Sequence, residues 1–264
     1  MRIVVVGAGV SGLTCGVVLS EAGHEVTIVA REVEATTSHA AAAIWYPYHA
    51  AGAELEAWAN ETREVLERLC YEPAAGVSPI DFHVVGEGVL RVPLMDVTRY
   101  VPYLRARFRG ELVQREVGSF DELREYDRIV NCAGFGAREL CGDAALEPGY
   151  GVAVVVERPP IDFAYADPND PLTYVIPRTD DCILGGYDAA VPPDTSEIAK
   201  IVERCRQAVP EVNGNVREVK HGIRPVRAAV RLEREGNIVH NYGHGGAGFT
   251  LSWGCASAVR QLIV

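Results

Sequence analysis

The spacing of apolar positions changes along the chain from a period of two to a period near four, and each change marks an element. Arg2 to Val6 is a β-branched run, apolar on both faces, which predicts a central parallel strand. Glycines follow at once. From Ser11 to Ala22 the residues Leu13, Val17, Val18 and Leu19 recur at helical spacing until Gly23 supplies a stop signal. Glu25 to Ala30 predicts a second strand, and the whole unit has the size of one crossover in a doubly wound sheet. From Glu54 to Leu69, Leu55, Trp58, Val65, Leu66 and Leu69 share one helical face while Glu and Arg fill the other. Asp81 to Val92 alternates briefly and predicts one or two strands, and Asp96 to Phe108 predicts a helix through Val97, Tyr100, Val101 and Leu104. The run Arg128 to Cys132 is another buried strand, ending in Ala133-Gly134. Gly149 to Glu157, Leu172 to Ile176 and Cys182 to Gly186 predict strands separated by proline-rich turns. Thr195 to Val209 predicts a helix with Ile198, Ile201, Val202 and Cys205 on one face. Asn237 to Tyr242 predicts the last strand, followed by a glycine-rich turn and a helix from Thr250. No repeat, low-complexity tract or linker interrupts the chain, so two domains sharing interleaved segments fit it better than two beads on a string.

Composition narrows the function. The 264 residues, 48% of them hydrophobic, can bury a substantial core. The 36 acidic against 25 basic residues leave a formal charge of -11, which opposes nonspecific attraction to nucleic acid and to anionic membranes. No apolar stretch is long enough to span a bilayer. The seven cysteines are scattered without a CxxC pair, which argues against a disulfide framework and against a metal site. Met1-Arg2 runs straight into the first strand without a cleavage site, and Gln261-Leu262-Ile263-Val264 is no peroxisomal address. The expectation is a soluble cytoplasmic protein with reduced thiols.

Candidate chemistry begins with Gly7-Ala8-Gly9-Val10-Ser11-Gly12, a GxGxxG spacing set between strand and helix. Gly7 allows the tight turn, Gly9 lets backbone approach a pyrophosphate, Gly12 lets helix and strand pack closely, and the helix N-terminus attracts phosphate. The acidic residue that usually holds the ribose is absent where the second strand ends, at Val29-Ala30-Arg31, although Glu32 comes next. Arg31 suits either a phosphate-bearing adenosine such as NADP or a position stacked near the adenine of FAD. The segment Thr36-Thr37-Ser38-His39-Ala40-Ala41-Ala42-Ala43-Ile44-Trp45-Tyr46-Pro47-Tyr48 places four alanines before a tryptophan, which suits close approach of a flat ring to backbone or the start of a helix. Near the other end, Gly222-Ile223-Arg224-Pro225-Val226-Arg227 sets guanidinium groups on a proline-stiffened stretch, where one can grip a carboxylate through two parallel hydrogen bonds. His240-Asn241-Tyr242-Gly243-His244-Gly245-Gly246-Ala247-Gly248-Phe249-Thr250 and the following Leu251-Ser252-Trp253-Gly254-Cys255-Ala256 form a strand-to-helix turn with four glycines.

Together these segments resemble the D-amino acid oxidase family, the last of them its bacterial-type ending. The resemblance implies an α/β protein: a doubly wound (Rossmann-like) FAD-binding domain, residues 1–70, 109–150 and 224–264, interleaved with a smaller α+β, mainly antiparallel substrate domain, residues 71–108 and 151–223. It implies that Arg224 binds the substrate carboxylate with support from Tyr174, and that the carbonyl of Gly246 receives the amino group. FAD contacts are implied for Gly7, Gly9, Val10, Ser11, Gly12, Arg31, Thr36, Thr37, Ser38, Ala42, Ala43, Ile44, Trp45, Gly245, Gly246, Gly248, Phe249 and Thr250, with Val117, Cys132, Ala133 and Gly134 near the adenosine half. The implied reaction is oxidative deamination of a D-amino acid by molecular oxygen, through hydride transfer to flavin N5. A homodimer is compatible with the family, and neither nucleic acid nor membrane is an expected partner.

The sequence departs from the family at several places. Asp170 stands where a second active-site tyrosine would fall, Val152 replaces a usual glutamine after the Gly149-Tyr150-Gly151 turn, and His39 replaces an acidic or amide residue. The chain is also shorter than typical members between Leu69 and Val89. That deficit motivates two rival readings: an amine oxidase acting on glycine, N-methyl amino acids or a specialised amine, and a noncatalytic FAD-binding homologue.

Overall fold

The computed structural model describes residues 1–47 and 53–264; Tyr48, the last residue of the alanine-rich segment, lies outside the described residues. In chain order the elements are β1 (Arg2–Val6), α1 (Val10–Glu21), β2 (Glu25–Ala30), α2 (Ala53–Leu69), β3 (Val77–Val84), β4 (Gly88–Met95), α3 (Val97–Arg107), β5 (Glu111–Gln114), β6 (Arg128–Asn131) and the short α4 (Ala137–Leu140). They continue with β7 (Glu147–Glu157), β8 (Phe163–Asp167), β9 (Thr173–Pro177), β10 (Asp181–Gly185), α5 (Thr195–Ala208), β11 (Val216–Val226), β12 (Arg231–Glu235), β13 (Ile238–Tyr242) and α6 (Gly248–Leu262).

The strands form two sheets. The first has the order β12-β13-β6-β1-β2-β5, and every pairing in it is parallel except the β12-β13 hairpin. Its central strand β1 is apolar on both faces because helices cover one side and loops the other, and Ile3, Val4 and Val5 are fully buried. The helix α1 lies under this sheet and is buried nearly all round, which explains why its sequence lacks a polar face. Against it packs α6, and α2 crosses α6 so closely that a Cβ on Gly254 would overlap the backbone of Trp58.

The second sheet has the order β11-β7-β10-β9-β8-β3-β4 and is antiparallel except for β3 against β8. Its outer face is covered by α5, where Asp194 caps the helix by accepting from the Glu197 amide at 2.9 Å. Ile201 and Cys205 of α5 pack on Val154, Val156 and Leu184. The fold is thus α/β with interleaved units. The expected boundaries at 150/151 and 223/224 fall inside β7 and β11, and α3, placed by the sequence with the second unit, packs its Tyr100 against Phe249 and Trp253 of α6. Gly149 to Gly151, named as a turn where the family was compared, belongs to the strand predicted from Gly149, which starts two residues earlier at Glu147. Four strands had no counterpart in the apolar pattern: β5, a half-exposed edge of four residues, β8, whose Phe-Ala-Tyr-Ala-Asp alternates weakly, and β11 and β12, whose charged residues hide any alternation. Among the described residues no helix is long and apolar enough to cross a membrane, and no group of three or more His, Cys, Asp or Glu is placed to hold a metal ion.

Candidate active site

A cavity of about 1060 Å³ runs between the two sheets, outside the carboxyl ends of β1, β2, β6 and β13. In an open parallel sheet this is where a ligand crevice forms, because the loops diverge there and the helix N-termini point at it. The volume exceeds that of an ordinary small-molecule pocket and suits an extended dinucleotide.

The glycine loop explains itself sterically. Gly7 has φ +113, and a Cβ there would overlap the carbonyl of Cys132. On Gly9 a Cβ would lie 3.1 Å from Oγ of Ser38, so that side of the loop stays open to a ligand only without one. Gly12 does not line the cavity; a Cβ there would overlap the Gly7 carbonyl, so its role is to let α1 sit against the turn. The first turn of α1 carries no acidic residue, and Oγ of Ser38 accepts from the Val10 amide at 2.9 Å, which brings the 36–38 segment to the positive end of the helix. Beyond it, Arg31 donates to Glu116 at 3.3 Å in an exposed pair, so the charge at this end is partly compensated. Arg31, Thr36, Thr37, Val117, Cys132, Ala133 and Gly134 all line the cavity, and Thr37 donates to the Ile223 carbonyl of β11 at 3.2 Å.

The middle of the cavity is walled by backbone. Ala42, Ala43 and Ile44 line one side, and Gly245, Gly246, Gly248, Phe249 and Thr250 line the other. Ala43 adopts φ +54, a left-handed conformation that costs an alanine roughly 1 kcal/mol. Its carbonyl is held by the Met95 amide at 2.9 Å. Thr250 joins the two walls: its Oγ1 donates to the Tyr46 carbonyl at 2.9 Å and accepts from the Tyr46 amide at 3.3 Å. Trp45 does not line the cavity. The segment is extended there, so Ile44 and Tyr46 face the cavity while Trp45 turns into the core, donating to the Ala59 carbonyl at 2.9 Å under the guanidinium of Arg63.

Two residues of this wall had no assigned role in the sequence although both stand in the glycine-rich motif. Asn241 donates through Nδ2 to Ser11 Oγ at 3.0 Å, which leaves its Oδ1 to accept from His244 Nε2, also at 3.0 Å. His244 therefore carries a proton on Nε2, and burial pushes its pKa down from 6.5 to about 4, which keeps the ring neutral near pH 7. His39 lies outside the cavity, its Nδ1 2.9 Å from Thr36 Oγ1, in a structural position.

At the far end Tyr174 and Arg224 come together against Tyr150, Gly151 and Val152. Nη1 of Arg224 donates to three acceptors, the carbonyls of Tyr187 at 3.0 Å and Tyr150 at 3.3 Å and Oδ1 of Asp188 at 3.2 Å. No carbonyl or carboxylate among the described residues accepts from its Nε or Nη2, and the Tyr174 side chain hydrogen-bonds to the guanidinium. Burial raises the pKa of Tyr174, and the charge of Arg224 beside it works in the opposite direction. The neighbouring wall is apolar, with Phe82, Val84, Ala166, Leu172 and Ile176. Asp170 does not reach the cavity, while Val152 lines it.

Comparison with known proteins gives a consistent result. The family model described as FAD dependent oxidoreductase matches residues 2–93 and 94–262. A D-amino-acid oxidase of Rubrobacter xylanophilus is 38% identical over 316 aligned positions, covering 99% of this chain and 95% of the relative. A D-amino-acid oxidase of Streptomyces coelicolor is 38% identical over 309 positions, covering 99% and 96%. Both alignments are longer than this chain, so these relatives hold residues that it lacks. Among solved structures, glycine oxidase from Geobacillus kaustophilus superposes with a TM-score of 0.78 over 99% of this chain and 94% of its own, at 17% identity.

Proposed function

Since this chain belongs to the D-amino-acid oxidase family of FAD dependent oxidoreductases, we propose that it oxidises D-amino acids to 2-oxo acids and ammonia, with oxygen reduced to hydrogen peroxide. The protein is an FAD-dependent oxidase, and the residues of the cavity fit the cofactor: the glycine loop and Ser38 suit its pyrophosphate, Val117 with Cys132, Ala133 and Gly134 its adenosine half, and the walls at Ala42–Ile44 and Gly245–Thr250 its ring. Bound in this cavity, FAD would supply a two-electron acceptor for the hydride of the substrate α-carbon, with oxygen as the final oxidant. The imino acid left behind hydrolyses in water.

The chain itself contributes binding and orientation. The observation that carries the reading is the edge of Arg224 that no protein carboxylate or carbonyl occupies: with Nη1 saturated, Nε and Nη2 form a fork suited to the α-carboxylate. Tyr174 adds a hydroxyl beside that fork, and the Gly246 carbonyl accepts from an uncharged substrate amine. With two substituents of the α-carbon fixed, one hydrogen faces the ring, and stereoselectivity follows from that constraint. No side-chain base is needed in this arrangement. The apolar wall of Phe82, Val84, Ala166 and Leu172 favours an amino acid with a side chain over glycine.

The test is Arg224→Ala, assayed for flavin content and for kcat/KM with a D-amino acid panel. Full FAD loading with a loss of about 100-fold or more in kcat/KM is expected, since a bidentate charged contact is removed. Unchanged kinetics would sink the carboxylate assignment.

A further inference from the structure

Gly149 and Gly151 stand two apart in β7, so their missing side chains leave one face of the strand bare. A Cβ on Gly151 would lie 2.7 Å from Cζ, Nη1 and Nη2 of Arg224 alike, so the guanidinium lies flat on that backbone. A Cβ on Gly149 would meet Cγ2 of Val226 at 2.7 Å and would lie 3.4 Å from Cβ of Arg224 and 3.5 Å from Oδ1 of Asp188. Gly151 is therefore the seat of the guanidinium, and Gly149 leaves room beside it for Val226 and for the carboxylate of Asp188.

Asp188 is held there from both directions along the chain. After it, Ala189 pairs with Tyr150, the Tyr150 amide donating to the Ala189 carbonyl at 2.8 Å and the reverse bond measuring 3.4 Å. Before it, Gly186 takes φ +140, with no room for a Cβ against the Leu172 carbonyl, and its own carbonyl accepts from Arg204 Nη2 at 3.1 Å. The backbone thus delivers the carboxylate to Nη1 of Arg224.

Building on the function proposed above, we propose that Asp188 is a positioning and specificity-determining residue. By taking Nη1 it fixes the rotation of the guanidinium and turns the Nε and Nη2 edge toward the substrate. Its charge also shapes selectivity. Arg224 is the one arginine or lysine among the described residues of the second sheet that line the cavity; the other lining cations, Arg31, Arg115 and Arg138, lie toward the adenosine end. Once the substrate α-carboxylate is bound, one guanidinium faces two carboxylates. A second carboxylate on the substrate side chain would be a third anion with no cation to meet it, whereas a neutral or cationic side chain carries no such penalty. The site therefore selects against acidic D-amino acids, and Asp188 is the reason.

The experiment compares D-glutamine with D-glutamate, which differ in charge and hardly in shape, on the FAD-loaded wild type and on Asp188→Asn. The wild type is expected to favour D-glutamine in kcat/KM, and Asp188→Asn to narrow that preference about ten-fold. Asp188→Glu, which keeps the charge, is expected to retain it. A purely structural role for Asp188 would lower both substrates together and leave the ratio fixed; a ratio unchanged in Asp188→Asn overturns the proposal. If the asparagine variant does not fold, Asp188→Ser carries the same reading. Should neither compound be oxidised, the proposed function fails, and the ratio is read instead from their dissociation constants by the change in flavin absorption; equal ratios there overturn the role of Asp188 independently.

Discussion

At the scale of single residues, the bare face of β7 makes a sharp demand. In Gly151→Ala the new methyl would meet the Arg224 guanidinium at 2.7 Å, and the guanidinium must lift from its seat. Substrate KM is expected to rise about ten-fold or more while FAD affinity stays close to wild type, because the cofactor half of the cavity is untouched. Titration with FAD alongside steady-state kinetics separates the two. His244 makes a different demand. Its folded pKa of about 4 lies below the ordinary 6.5, so between those values the unfolded chain binds more protons and stability falls as pH drops. Above pH 6.5 the histidine carries no such penalty. Near pH 4 the loss amounts to roughly 1–3 kcal/mol, and denaturant titrations of wild type and His244→Gln across pH 4 to 7 should show a shallower slope in the variant. Residues differ in how far they could be read from the sequence. Gly7 was legible because a turn, a close carbonyl and a helix start all demand glycine at one spacing. Trp45 misled, since it stands between two cavity residues but belongs to the opposite face of an extended segment. Asp188 was invisible: it meets Arg224 across 36 residues through a bridge between a loop and β7 that no local pattern announces.

At the scale of elements, the helices behind the first sheet set the position of the ring wall. The helix α6 begins at Gly248, directly after the glycine turn, and its backbone meets α2 at Gly254, where the amide donates to Thr62 Oγ1 at 3.0 Å. A side chain at this crossing has no space, since the obstructing atoms are Trp58 backbone. Gly254→Val is expected to destabilise the protein by about 3 kcal/mol or more and to loosen FAD, because the wall at Phe249 and Thr250 moves with the helix. Thermal unfolding and cofactor titration of the variant would measure both. The same element shows why long periodic segments were readable. The helices α2, α3 and α5 begin and end within a few residues of their predicted bounds, because apolar stripes and caps such as Asp96 and Asp194 act locally. The strands β5 and β8 depend instead on neighbours that come from elsewhere in the chain, and their short, half-exposed sequences say little alone.

At the scale of the whole molecule, the chain leaves one sheet for the other after β2, β4, β6 and β11, and the passages after β2 and β6 line the cavity. The apolar pattern indicated interleaving, but the sheet to which each passage belongs follows from long-range pairing. That braiding bears on how the protein can be taken apart. The hairpin between β3 and β4 turns through Gly86 and Gly88, which have open space around them, and Val85 beside them is 41% exposed. A chain severed there gives one fragment with the glycine loop and another with Arg224 and the Gly245–Thr250 wall, each carrying strands of both sheets. Neither fragment alone should hold the yellow cofactor, and co-expression should restore the colour; a coloured half would show that one side suffices. A flavin site shared in this way would serve as a reporter of reassembly, lighting up when two separately encoded pieces meet.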